Sequence, residues 1–277
     1  MDLRLSGKVA LVTGGSRGIG LATGHALAAE GVRIVVAART QPDVRRAAEE
    51  IAAAGDVETL GVVADVKKPD DIVRAVAQAK EAFGGVDILV SNAGVPGGIG
   101  FGPLEDVDDS DVLMDLETKF LGALRAARAV APHMKAQGWG RIISIVGLSG
   151  RYASRYPSER NPEGAFNYSG GPRNLAVAHL MRTLAHELGG HGVTANAVLP
   201  GATMTEDLAA MLERRAHSLG RDVDELRSQA ARGNAIGRWV DAREVADVVT
   251  FIASPRAASI SGEVIAASGG AGMAVFT

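Results

Sequence analysis

The sequence predicts an α/β fold, a doubly wound parallel sheet of about seven strands with helices on both faces. Three observations predict it. Short apolar runs of strand length alternate with longer helical segments along the whole chain. The short runs are apolar throughout rather than alternating with polar residues, as strands buried on both faces require. Glycine, at 35 of 277 residues, gathers in clusters between the apolar runs and follows no collagen-like period.

The strands are expected at residues 9–12, 34–37, 60–63, 88–90, 142–146, 193–199 and 263–267. Between them the helices carry their own punctuation. Pro42 opens the helix over 43–54 and Gly55 closes it; Pro69 opens the helix over 70–83 and Gly84-Gly85 closes that. Asp241 followed by Glu244 is a capping box ahead of 245–253. No internal repeat and no Pro- or Ser-rich linker breaks the pattern, so residues 1–277 read as one domain. Two long connections interrupt the rhythm. Residues 147–169 hold all three tyrosines, and residues 201–239 carry amphipathic segments at 206–219 and 222–231 that suit a substrate lid. Both follow expected strands, where open α/β sheets place their ligands.

Composition narrows the function classes. A net charge of −3 argues against binding nucleic acid through a basic face, a local patch being left open, and no uncharged apolar run reaches the ~18 residues of a membrane helix. With no cysteine, thiolate catalysis, disulfides and cysteine-bound metals are excluded. The six histidines show no ligand-like spacing with acids, so no metal is expected; His179 and His186, seven apart on one helix, suit a surface or subunit contact. The start, Met1 to Leu5, has no signal-peptide pattern, and a cytoplasmic protein is expected.

The segment Thr13-Gly14-Gly15-Ser16-Arg17-Gly18-Ile19-Gly20 lies between the first strand and the first helix. There glycines let backbone approach a pyrophosphate and the helix start supplies N–H donors, a Rossmann-type arrangement. Asp65-Val66 follows the third strand, Ser91-Asn92-Ala93-Gly94 the fourth, and Pro200-Gly201 with Thr205 the sixth. With the T-G-x-x-x-G-x-G spacing met by Thr13, Gly14, Gly18 and Gly20, these motifs in this order resemble the short-chain dehydrogenase/reductase family over nearly the whole chain. The resemblance implies that Asp65 and Val66 hold the adenine, that Asn92, Ala93 and Gly94 lie beside the cofactor, and that Pro200, Gly201 and Thr205 contact its nicotinamide side. It also implies a homodimer or homotetramer. The second strand ends Ala37-Ala38-Arg39-Thr40, without the acid that accepts the ribose hydroxyls of NAD. Arg17 and Arg39 suit a 2′-phosphate instead, and NADP(H) is the expected cofactor; the alternative reading is two solvated surface arginines.

The family ordinarily carries Asn, Ser, Tyr and Lys, the last two spaced Y-x-x-x-K on one helix. Local alignment places Lys119, Gly147, Gly170 and Asn174 at those four positions. A member lacking the usual set is therefore expected, with replacements drawn from nearby. Tyr168, two residues ahead of the usual place and just before a helix that Pro172 starts, is the candidate proton donor, with an ordinary half-buried tyrosine as the alternative. Tyr152 and Tyr156 lie among Arg151, Arg155 and Arg160, a loop for an anionic substrate or simply a solvated one. Ser149 supplies a hydroxyl near the vacant serine position, unless it bonds its own loop. No lysine follows Lys135, and Arg173, about 100° round the helix from Asn174, is expected to face elsewhere. Lys119 and Asn174 look like the family's Asn and Lys exchanged between neighbouring helices, the Lys119 stem carrying its charge into the missing ammonium's place; a Lys119 facing solvent or a subunit interface is the alternative.

The expected function is NADPH-dependent oxidation or reduction of a small organic alcohol or carbonyl, with C=C and C=N bonds left open. The rival readings are an NADP(H)-binding sensor or partner subunit without redox chemistry, and non-redox use of the same pocket for dehydration or cyclisation.

Overall fold

A computed structural model describes residues 1–153, 155–156, 165–231 and 233–272, the side chains of 155, 156, 229 and 230 excepted. Each of the seven expected strands forms. The chain runs β1 (Val9–Thr13), α1 (Gly18–Ala29), β2 (Arg33–Ala38), α2 (Gln41–Gly55), β3 (Thr59–Val63), α3 (Pro69–Phe83) and β4 (Ile88–Ser91). Then come α4 (Asp109–Leu116), a π-helical turn (Glu117–Leu121), α5 (Gly122–Gln137) and β5 (Gly140–Ile145). A short antiparallel pair, β6 (Arg155–Tyr156) and β7 (Ala165–Phe166), precedes α6 (Gly170–Leu188) and β8 (Val193–Pro200). The last part holds β9 (Thr203–Met204), α7 (Glu206–Leu219), α8 (Val223–Ala231), β10 (Val240–Asp241), α9 (Ala242–Ala253) and β11 (Val264–Ala267).

The sheet order is β11-β8-β5-β4-β1-β2-β3, parallel throughout. Chain order reverses at β1, between β2 and β4, and the carboxyl ends of those strands open the crevice where such sheets bind ligands. Alternate strand residues feed two cores. Leu11, Leu89 and Ile142 pack with Ile72, Val130 and Met181 of α3, α5 and α6. Val12, Val90 and Ile143 pack with Leu27, Ile51 and Val249 of α1, α2 and α9.

Helix ends follow the sequence signals with one correction. Gly84, at φ 90°, closes α3, and the Asp241–Glu244 capping box opens α9. Gly55, however, is the last residue of α2, and Asp56 takes the left-handed position at φ 50°. Gly55 is needed for packing instead, since a Cβ there would come within 2.7 Å of the Ala28 Cβ of α1. Pro172 falls in the first turn of α6, where the missing N–H costs no helical bond. The segments 206–219 and 222–231 form α7 and α8, as their apolar periodicity predicts. Among the described residues no helix is long and apolar enough to cross a membrane.

Candidate functional site

The glycine turn after β1 is locked to the turn after β4. Thr13 Oγ1 accepts from the backbone N–H of Asn92 at 3.1 Å and of Ala93 at 3.3 Å, and Asn92 Nδ2 donates to the Gly14 carbonyl at 3.0 Å. Gly14 has φ 63°, and a Cβ on Gly20 would lie 2.3 Å from the Gly14 oxygen, so both positions require glycine. The turn delivers the chain to α1, whose N-cap residue Arg17 is extended and makes no side-chain cap. The first-turn N–H groups, Ile19 among them, therefore keep their donors for an anion. Thr205, the N-cap of α7, accepts from Leu208 N at 3.3 Å and lies against Gly18, where a Cβ would come within 3.3 Å of its methyl. Pro200 ends β8, and Gly201 packs beneath Ser268.

Asp65 shapes its own turn, accepting from Lys67 N at 3.0 Å. Arg125 of α5 donates to the carbonyls of Val66 at 3.1 Å and Lys67 at 2.9 Å, fixing this edge of the crevice. The two arginines expected at a 2′-phosphate stand apart in their present contacts. Arg17 pairs with Asp207 of α7 at 3.1 Å, both exposed, while Arg39 is exposed and makes no described bond. Arg46, absent from the sequence reading, reaches from α2 to the carbonyl of buried Ser16 at 2.6 Å. Its signal was its place on α2, the helix that follows β2 and Arg39.

The second group lies where α4, the π-helical turn and α6 meet the turn after β4. The Lys119 side chain folds inward: Nζ donates to the Asn92 carbonyl at 3.3 Å, and a Cβ on Gly94 would sit 3.0 Å from its Cδ. The stem is half-buried and the amine enclosed. Desolvation, then the Arg173 cation, lower its pKa to about 7, partly opposed by Asp115. The π-helical turn produces this aim: Gly122 N–H donates to Glu117 O, five residues back, and the widened turn carries Lys119.

Asn174 and Ser149 are brought together, and neither has a described bond to Lys119. Asn174 Nδ2 donates to Ser149 Oγ at 3.0 Å and fills the space ahead of Gly147, where a Cβ would lie 2.7 Å from it. Tyr168 is half-buried before α6; its N–H donates to the Gly100 carbonyl at 2.9 Å and its hydroxyl bonds to no described residue. Tyr152 reaches toward the Ala271 carbonyl at 3.5 Å, and Arg151 donates to that of Val264 at 2.9 Å. Arg160 and the side chains of Arg155 and Tyr156 lie outside the described residues. His179 and His186 are exposed on α6, and the described residues hold no metal-like group of His, Asp or Glu.

Arg173 corrects the sequence reading. It does not face away: it is buried, ion-paired with buried Asp115, and bonded to the Val95 carbonyl. Helical spacing alone missed that the loop after β4 crosses the start of α6. Asp115 was findable as an acid four residues before Lys119 on the same helix.

Comparison with known proteins agrees with this geometry. The short chain dehydrogenase family profile matches residues 8–216. A short-chain reductase protein of Streptomyces niveus, NovJ, is 37% identical over 262 residues, covering 95% of this chain and 93% of its own. The L-sorbose reductase of Gluconobacter frateurii, solved with NADPH and L-sorbose, superposes with a TM-score of 0.89 at 29% identity over 98% of both chains. A variant of the actinorhodin polyketide ketoreductase, solved with NADPH, superposes with a TM-score of 0.82 at 32% identity over 95% of this chain and 96% of its own. The chain belongs to the short-chain dehydrogenase/reductase family of oxidoreductases.

Proposed function

We propose that this protein is an NADPH-dependent reductase of a small organic carbonyl that works without the family's usual Ser-Tyr-Lys set. The observation that carries the reading is the Lys119 amine, turned in against Asn92 and Gly94 beside the locked glycine turn. It supplies a cation from α4's continuation while Asn174 occupies the usual lysine position. Likeness to reductases solved with NADPH supports the cofactor.

The residues present fit such a dinucleotide. The uncapped start of α1 with Gly14, Ser16, Gly18, Ile19 and Gly20 would hold the pyrophosphate, and Arg17 and Arg39 the 2′-phosphate. Asp65 and Val66 would hold the adenine; Asn92, Ala93, Gly94, Pro200, Gly201 and Thr205 would line the nicotinamide end. Bound NADPH supplies the hydride. In this reading Lys119 holds the nicotinamide ribose and stabilises negative charge, the Ser149–Asn174 pair orients the substrate oxygen, and Tyr168 gives it a proton. The segment 201–239, with α7 and α8, closes over the pocket.

The test is steady NADPH oxidation by the purified protein across a panel of ketones, aldehydes and keto sugars. Turnover lost in Lys119→Met supports the reading. Tight NADPH binding without turnover on any carbonyl overturns it in favour of a sensor or partner subunit.

A further inference from the structure

Asp115 is buried on α4 and all of its described partners come from across the site. Its carboxylate takes the Arg173 guanidinium and the Ser169 hydroxyl from the start of α6, and the Ile99 N–H at 2.9 Å from the loop after β4. Ser169 Oγ in turn accepts from Gly100 N at 3.0 Å, and Arg173 holds the Val95 carbonyl. The loop 95–100 is thus tied at Val95, Ile99 and Gly100 to one buried charged pair. The pinned loop occupies the place a tyrosine would need: a Cβ on Gly170 would lie 2.3 Å from the Gly97 carbonyl oxygen.

A buried ion pair is poor evidence of stability, since apolar side chains of similar volume usually serve as well. This one lies one helical turn from half-buried Lys119, whose amine is desolvated. The charged groups acting on Lys119 are Asp115, one turn back on its own helix, and Arg173 from α6; the turn after β4 presents the Asn92 carbonyl and Gly94. We propose that Asp115 and Arg173 are positioning residues that seat Lys119 against the turn after β4 and set the charge it presents to the cofactor. The inference rests on the reading of Lys119 as the cation of the site. Burial lowers the Lys119 pKa most; on top of that Arg173 disfavours the ammonium and Asp115 favours it, so the pair trims a charge balance that burial brings near neutrality.

The test follows the Lys119 amine in cofactor-free protein by NMR of ¹³C,¹⁵N-lysine, its signal assigned among the six lysines by its loss in Lys119→Arg. The wild-type midpoint is expected at about 7. Asp115→Asn should lower it by about 1 unit or more, because only the repelling cation remains, and Arg173→Met should raise it by a similar amount. A purely structural pair behaves differently: either change would admit water and raise the midpoint towards 10.5. A midpoint that rises or stays in Asp115→Asn overturns the proposal. Where Asp115→Asn yields no folded protein, Arg173→Met is compared with the double variant D115N/R173M. A lower midpoint in the double supports the pair, and equal midpoints overturn it. The pH dependence of NADPH affinity is measured alongside. If the amine shifts as expected and the affinity profile does not follow, the role given to Lys119 at the cofactor fails while the charged pair stands.

Discussion

The Asn174 amide donates to the Ser149 hydroxyl at 3.0 Å, joining α6 to the loop after β5 where a side chain on Gly147 would otherwise stand. The two residues act as a unit, because buried Asn174 has its described bond there. Ser149→Ala leaves that amide unpaired and should lower stability by about 1–3 kcal/mol, read by urea unfolding. Under the proposed function it also lowers kcat with little change in NADPH affinity.

Tyr168→Phe should reduce kcat about 10²-fold or more, the range lost with a general acid, and leave NADPH affinity unchanged. Full activity in the Phe variant, measured on the best carbonyl of the panel, removes Tyr168 from the mechanism.

Nucleotide preference should rest on Arg17 and Arg39. Calorimetry is expected to show NADPH binding at least tenfold tighter than NADH, with the ratio collapsing in Arg39→Ala, since a charge-assisted bond contributes about 1.5–3 kcal/mol. Arg17 carries a competing partner, Asp207 at 3.1 Å. Exposed pairs contribute about 0–1 kcal/mol, so Asp207→Asn should tighten NADPH only by up to about fivefold.

Lys119 makes stability depend on pH with a definite sign. Its folded pKa of about 7 lies below the 10.5 of an unperturbed lysine, so between those values the unfolded chain binds more protons. Stability from this group therefore rises as pH climbs from about 7 towards 10.5, and its full cost is present below 7. The excess Tm of Lys119→Met over wild type should be largest below pH 7 and shrink towards pH 10. A difference that stays flat contradicts an enclosed amine.

Restoring a tyrosine at position 170 should fail. A Cβ there meets the Gly97 carbonyl, backbone that cannot swing aside, so even Gly170→Ala should cost about 1–3 kcal/mol, read by denaturant unfolding.

The sheet was legible because its strands are apolar on both faces and its helices carry their own Pro, Gly and capping signals. The glycine turn and Asn92 were legible for a similar reason: close backbone approach allows few residue types. What stayed hidden depends on which loop crosses which helix. Nothing local in the sequence says that residues 95–100 pass over the start of α6, and that crossing turns Arg173 inward and makes Asp115 its partner. The exchange expected of Lys119 and Asn174 has no bond between the two residues to carry it: Asn174 bonds Ser149 while Lys119 bonds Asn92. Tertiary hydrogen bonding, not reach, chose those partners.

The start of α1 has no side-chain cap, so its first-turn N–H groups favour a bound anion. Any occupant of those donors adds RT ln(1 + [L]/Kd) to folding, about 2.7 kcal/mol at a hundredfold excess over Kd. Protein without bound nucleotide is correspondingly easier to open and to degrade. Its lifetime in a cell would then track the supply of its nucleotide, so that abundance as well as rate reports the state of that pool.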